Sequence, residues 1–386
     1  MDFDFTTAEQ EFRTEVRRWL ADHLTDEIRD LGEDWDKTEL RLAWEKELGQ
    51  AGWIGLSWPA QYGGRGATII EQLIFAEEYA RAGAPPRAPF GEGLLGPTLI
   101  ALGTEAQRQR FLPAILRGEQ QWCQGFSEPE AGSDLAGVRT KARLEGDEWI
   151  IDGQKIWTSQ AMEADWIFVL ARTNPDVPKH KGLSFILVPM DQPGVEVRPI
   201  RNLTGSSEFN EVYFDGARTG SDLVVNGVDG GWAVAMATLG FERGTAFLGQ
   251  QVRFAEELDR LVGLVQEQGR AGEPRLRQQL AALYAELQIM KYSGFRTLTQ
   301  VLRTGTPGPE SSVGKLFWSQ WAQRLGELEL DVLGPAGQVV GADYELSGMQ
   351  NFALFARAHT IYAGSSEVQR NIVSERVLGM PRDPVG

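Results

Sequence analysis

The sequence predicts an α+β multidomain chain. It divides into an N-terminal α-helical domain over 1–120, a central antiparallel β-barrel or sandwich domain over 121–230, and a C-terminal four-helix bundle over 231–386. Three observations lead there. Apolar residues recur at helical spacing through the first third. Short β-branched and aromatic runs with no helix between them fill the second. Long helical patterns return after Gly231, separated by short breaks.

In the first domain, Thr6 and Glu9 have the spacing of a capping box, in which each side chain takes an orphan backbone N–H. Phe12, Val16, Trp19 and Leu20 follow at helical spacing. TELRLAWEKELGQAGW and ATIIEQLIFAEEYARAG continue the pattern, each stopped by glycine, with WPAQYGGRGA as the loop between them. In the second domain, WIIDGQKIWTS reads as two strands joined by an Asp152-Gly153 hairpin turn, since both residues tolerate positive φ. DWIFVLART, GLSFILVPM, VEVRPI, NEVYFDGARTG and DLVV supply further strands. The last third predicts helices over 232–268, 274–304, 311–333 and 343–380, broken at GRAGEP, TGTPGPE and LGPAG. With no internal repeat and no Pro-rich linker, the three parts are expected to pack closely.

Composition narrows the function classes. The net charge of −16 repels a phosphate backbone, so nucleic acid is not expected as a partner. Cys123 is the single cysteine, which rules out an intrachain disulfide. His23, His180 and His359 lie far apart without ligand spacing, so no metal site is expected. The start, MDFDFTTAEQ, is acidic where a targeting peptide is basic, and no apolar run approaches the ~20 residues of a membrane helix. The expected location is cytoplasmic, with no membrane span.

Two segments have the chemistry of a binding site. GFSEPEAGSD at 125–134 places Ser127, Gly132 and Ser133 in a short span, where hydroxyls and close backbone N–H groups can hold phosphate or ring carbonyl oxygens. Taken alone, it reads equally as a capped surface loop. In KIWTS, strand alternation puts Trp157 and Ser159 on one face, an indole to cover an aromatic ring and a hydroxyl to reach a ring nitrogen. Alone, Trp157 reads more readily as a core residue.

Taken in order, WPAQYGGRGA, FSEPEAGSD, DGQKIWTS, VLGPAG and IYAGSSEVQR resemble the acyl-CoA dehydrogenase family, and the resemblance spans essentially the whole chain. It implies FAD bound between the β domain and the C-terminal bundle. Ser127 matches the hydroxyl at the pyrimidine side of the flavin. Trp157 and Ser159 match the pair at its edge, with Ser159 placed to hydrogen-bond N5. Gly132 and Ser133 fall near the pyrophosphate and the thioester ligand. Gly334, Ser365 and Glu367 match positions that hold the adenosine half, some across a subunit interface. The resemblance further implies an acyl-CoA substrate and an electron-transfer flavoprotein as acceptor. Two assemblies remain open: a homotetramer, or an α2β2 hetero-oligomer with a second dehydrogenase-like chain.

The family reaction removes the α-proton of an acyl-CoA by a carboxylate and delivers the β-hydride to flavin N5. In many members that carboxylate precedes the glycine of the C-terminal loop. Here the position is Ala363, beside Tyr362, both expected against the substrate. A second family solution, as in members resembling isovaleryl- and long-chain acyl-CoA dehydrogenases, places the base on the first long C-terminal helix. There Ala235, Leu239, Glu242 and Ala246 share one helix face, so Glu242 is a carboxylate in a small apolar stripe, where burial strengthens it as a base. Glu242 is the expected base, and Arg243 matches a residue near the CoA entrance. Moving the base to the helix leaves room beside Ala363 for a branched or bulky acyl group. The usual Arg followed by Phe-Gly, which reaches a neighbouring subunit's FAD, is replaced by QGRAGEPRLRQQLA. Arg270 is the expected substitute, with Arg275 or Arg277 as alternatives. Two further readings stay open: a non-catalytic or half-site subunit completing a partner's site, and a flavin oxidase or monooxygenase on the same fold.

Overall fold

The computed structural model describes residues 5–32, 38–87, 90–245, 249–304 and 308–382, with the backbone alone at 242–245. Helix α1 (Thr7–His23) opens on the Thr6–Glu9 capping box, with both bonds made. Helices α2 (Asp26–Arg29), α3 (Thr38–Gln50) and α4 (Ile69–Arg81) follow. A π-helical turn (Phe90–Leu95) then leads into α5 (Gly96–Leu102) and α6 (Glu105–Leu116). Buried Glu78 on α4 accepts from Arg17 at 2.6 and 3.0 Å and from Arg81 at 2.9 Å, which locks α1 onto α4. The core between these helices sets the rings of Trp44, Trp53, Phe75 and Tyr79 among aliphatic side chains such as Val16, Leu20 and Leu48.

The strands are β1 (Trp122–Gly125), β2 (Lys141–Glu145), β3 (Glu148–Ser159), β4 (Trp166–Arg172), β5 (Leu183–Pro189), β6 (Val195–Ile200), β7 (Phe209–Gly220) and β8 (Val224–Val225). They form one sheet in the order β6-β7-β3-β2-β4-β5-β8, with β1 beside β4. Pairing is antiparallel except where β1 and β2 meet β4. Strands β4 and β5 are continuous apolar runs because both faces are covered. Phe168, Leu170, Phe185 and Leu187 enter a core with Leu95, Leu99 and Phe111 of the N-terminal helices. Ile167, Val169, Ile186 and Val188 enter a second core with Trp149, Ile151, Val212 and Phe214.

The hairpin expected at Asp152-Gly153 is not there. Strand β3 runs through both residues, and the tight turn falls earlier, between Glu145 and Glu148, with Gly146 at φ +62°. Asp152 instead serves a bulge on the neighbouring strand. Gly216 of β7 (φ +70°) is the extra residue there, and its N–H donates to the Asp152 carboxylate at 2.8 Å.

The C-terminal helices are α7 (Gly231–Thr245), α8 (Gln250–Glu267), α9 (Pro274–Thr304), α10 (Ser311–Leu333), α11 (Gly348–Phe355) and α12 (Ser366–Ile372). The helices expected over 274–304 and 311–333 form as such. The one expected over 232–268 is divided, with Gly249 at φ +77° capping the start of α8. The one expected over 343–380 is broken by left-handed residues Asp343, Tyr344, Ala363 and Gly364, after which Ser347 and Ser365 act as N-caps for new short helices. Helices α8, α9, α10 and α11 share a core around Phe254, Leu261, Trp321 and Leu325. Helix α7 does not join it. Its Val234 and Ala235 are buried in the core that the sheet shares with the N-terminal helices. Among the described residues no helix is long and apolar enough to cross a membrane.

Candidate active site

Strand β3 builds one side of the site. Between Lys155 and Thr158 it carries an extra residue relative to β7, and Trp157 takes a left-handed φ of +59°. Beyond the bulge burial alternates, with Thr158 buried between exposed Trp157 and half-buried Ser159. The effect of the bulge is to turn the indole out of the sheet: Trp157 is 58% exposed, edge-on to Phe209 at 6.0 Å. Immediately beside it, the N–H of Ile156 donates to the carbonyl of Ser127 at 3.0 Å. Ser127 and Trp157, thirty positions apart in the chain, therefore stand side by side. Gly132 and Ser133 lie on the exposed part of the same loop, which an Asp134–Lys179 ion pair at 2.7 Å tethers.

An ion pair that the sequence reading missed holds this arrangement. Lys155 is completely buried, and its Nζ donates to Glu128 at 2.8 Å, to the carbonyl of Leu170 at 2.8 Å and to that of Phe126 at 3.1 Å. Glu128 in turn accepts the N–H groups of Arg139 at 2.6 Å and Thr140 at 2.9 Å. Every donor of the ammonium is used, which is what keeps a buried charge tolerable. Burial draws the Lys155 ammonium down to about 8, against the pull of Glu128. Burial alone would raise the Glu128 carboxyl, but the Lys155 charge and the bonds it accepts hold it below the ordinary carboxylate range. The signal was present in the sequence: a lysine in the middle of an apolar strand, WIIDGQKIW, needs a carboxylate.

Helix α7 packs against β5, the π-helical turn and α5. Val234, Ala235 and Thr238 are fully buried, and Leu239 packs partly against the same core. The Thr238 hydroxyl lies 2.9 Å from that of Thr98, which fixes α7 against α5. Position 242 falls four residues after Thr238 along the same helix. The side chains of Glu242 and Arg243, and residue Ala246, lie outside the described residues.

The C-terminal motif forms a separate group. Ala363 has a left-handed φ of +50°, and the Gln369 amide donates to its carbonyl at 3.0 Å. Tyr362 is 40% exposed beside it, edge-on to His359 at 5.8 Å. Ser365 caps α12, accepting the N–H of Val368 at 3.4 Å, and Glu367 occupies its first turn. Gly334 ends α10 at φ +61°. Arg270 sits close to it, donating to the Val332 carbonyl at 3.4 Å, but its main partner is Glu273 at 2.8 Å. Within one chain the C-terminal segment meets the β domain through the Tyr344 hydroxyl, which donates to the Leu203 carbonyl at 2.9 Å.

The flavin implied by the motifs fits these residues. The backbone turns out a large apolar ring at Trp157 and leaves it more than half exposed, with the Ser127 and Ser159 segments on either side. A flat aromatic ligand against the indole would cover that surface.

Comparison with known proteins points the same way along the whole chain. The acyl-CoA dehydrogenase N-terminal domain matches residues 6–119, the middle domain 123–217 and the C-terminal domain 229–378. Acyl-CoA dehydrogenase IpdE1 of Mycobacterium tuberculosis is 50% identical over 384 residues, covering 98% of this chain and 99% of that one. Acyl-CoA dehydrogenase FadE34 of the same organism is 40% identical over 346 residues, 87% of this chain and 46% of that one. Among solved structures, the Tcur3481-Tcur3483 steroid ACAD superposes with a TM-score of 0.87 at 32% identity, covering 99% of this chain and 100% of that one. The ChsE4-ChsE5 complex from Mycobacterium tuberculosis does so with a TM-score of 0.87 at 30% identity and the same coverage. With all three domains matched in order, on a fold shared over nearly every residue, this chain belongs to the acyl-CoA dehydrogenase family and is an oxidoreductase.

Proposed function

We propose that the chain dehydrogenates a bulky acyl-CoA thioester between its α and β carbons, with Glu242 as the base that removes the α-proton. The observation that supports this reading is the spacing along α7: Val234, Ala235 and Thr238 define a buried face of the helix, and position 242 stands one turn beyond Thr238 in the sequence. A carboxylate on that face is shielded from water, which raises its proton affinity towards that of an effective base. Ala363 cannot take the proton, so the alternative position on the C-terminal loop carries no competing base. FAD, the cofactor of the family, would supply the hydride acceptor when bound. Ser127, Trp157 and Ser159 would hold and orient the ring system, Gly132 and Ser133 would border its pyrophosphate, and Tyr362 and Ala363 would border the acyl group. Arg243 supplies positive charge for the CoA end, and the electrons leave to an electron-transfer flavoprotein.

The bulky substrate is supported by the small Ala363 side chain and by the similarity to a protein described as a steroid ACAD. A second dehydrogenase-like chain as partner is supported by two observations. Arg270, the expected substitute for the cross-subunit arginine, is engaged with Glu273 of its own chain. A similar solved structure is a complex of two different chains. Gly334, Ser365 and Glu367 would then border FAD at the interface between subunits.

Glu242→Gln tests the base. Loss of turnover by about 10²–10⁴-fold with flavin still bound is the expected result. A variant that turns over bulky acyl-CoA thioesters at the wild-type rate would remove Glu242 from the chemistry.

A further inference from the structure

The buried pair of Glu128 and Lys155 lies between the two segments that are to receive the flavin. Glu128 follows Ser127 directly, and Lys155 precedes Trp157 by two residues. Lys155 reaches back to the Phe126 carbonyl, on the other side of Ser127, and across to the Leu170 carbonyl of β4. Glu128 closes the far end by accepting the N–H groups of Arg139 and Thr140, where the loop runs into β2. One ammonium and one carboxylate thus join four stretches of chain: the 126–128 loop, the bulge of β3, strand β4 and the start of β2. The bond from the Ile156 N–H to the Ser127 carbonyl lies beside this knot.

A pair of this kind is a poor way to gain stability. Removing two charges from water costs several kcal/mol per ion, and apolar residues of similar volume are often as stable or more so. What the pair provides instead is direction: three donors in fixed tetrahedral geometry, each with one acceptor, admit a single arrangement of the backbone around them. The bulge needs such a constraint. A tryptophan at positive φ is sterically costly and persists only where its surroundings over-determine it.

Resting on the flavoprotein reading above, we infer that Glu128 and Lys155 are positioning residues that preset the cofactor cradle, fixing the Ser127 carbonyl and the Trp157 indole in register before FAD arrives. They touch neither substrate nor flavin and act through the loop and the bulge.

Hydrogen exchange on the full-length apoprotein tests this without reference to FAD. In Lys155→Met and Glu128→Gln, peptides covering 125–134 and 154–160 are expected to lose at least tenfold in protection while those from β5 and α10 keep theirs. Equal protection in variant and wild type overturns the inference. In parallel, FAD affinity and the visible spectrum of bound flavin are measured on the same proteins, together with a control variant, Glu78→Gln, which breaks a buried ion pair far from the cradle. The expected result is a tenfold or greater loss of affinity and an altered flavin band in the cradle variants, and neither in the control. FAD affinity within twofold of wild type in the cradle variants would overturn the positioning role alone. A wild-type protein that takes up no FAD, alone or with its co-purifying subunit, would overturn the flavoprotein reading and leave the exchange result to decide the knot. Should the single variants not fold because a lone charge remains buried, the doubly neutral Glu128→Gln/Lys155→Met protein is measured in their place, with the same outcomes deciding.

Discussion

His359 is buried in a cage of rings, edge-on to Trp318 at 5.1 Å, Phe355 at 5.6 Å, Tyr362 at 5.8 Å and Phe352 at 6.4 Å. Its Nδ1 is buried with no hydrogen-bond partner among the described residues. Burial, and then the positive charge of Lys315, hold its acidity constant down at about 4, so the ring is neutral at ordinary pH. The unfolded chain takes up this proton near 6.5 and the folded chain only near 4. The contribution to stability is therefore complete above about 6.5 and is lost as pH falls towards 4, in total about 3 kcal/mol. His359→Phe keeps the ring contacts and removes the proton site, so its melting temperature is expected to fall less than that of the wild type between those two pH values. Parallel curves for the two proteins would contradict this. Because Tyr362 leans on the same imidazole, acid should loosen the loop before α12 ahead of the rest of the bundle.

At the scale of elements, β3 shows what the sequence reveals and what it does not. Its apolar and β-branched content marks it as a strand, and its KIWTS end carries the residue types that suit a flat aromatic ligand. The Asp152-Gly153 pair, however, has the same local chemistry as a hairpin turn. The difference is made by tertiary contacts: Gly216 donates to Asp152 from β7, and a Cβ at Gly153 would stand 2.6–2.9 Å from Thr140. Gly153 also has a φ of +149°, open to glycine alone. Gly153→Ala is therefore expected to cost about 2–4 kcal/mol, measurable by urea denaturation, since neither the backbone nor its neighbour can yield cheaply. A loss below about 0.5 kcal/mol would mean that the strand tolerates a side chain there. The split of the predicted 232–268 helix has a similar origin. Periodicity continues across the break, and only a positive φ at Gly249 with Ala76 packed close reveals the change of direction. Trp157 and Ser159 stand out by their residue types, while the bulge that turns the indole out depends on register with β7, which no local window contains. Glu128 and Lys155 were readable as residues but not as partners, being far apart in the chain.

At the scale of the whole molecule, the helical, β and helical thirds were legible from periodicity alone, because composition switches where the architecture does. What periodicity does not disclose is which core each helix joins. Helix α7 lies on the C-terminal side of the sheet in sequence, yet Val234 and Ala235 are buried with Leu95, Leu99, Phe168 and Phe185, while α8 begins the separate core around Phe254 and Trp321. Burying side chains of this size is worth about 1.5–3 kcal/mol each, so a chain cut after residue 230 exposes a large apolar face. A fragment ending there is expected to aggregate, whereas one extended through α7 should stay in solution longer. Static light scattering on the two fragments distinguishes them, and equal behaviour would show that α7 adds nothing to the sheet's own stability. The start of α7 thus belongs by chain to one domain and by core to another. For chimeras made by exchanging bundles between relatives, the crossover that keeps every core intact is the left-handed glycine at 249. A new bundle joined there would inherit its host's α7, and with it the base proposed at Glu242, whatever acyl group the incoming helices were selected to admit.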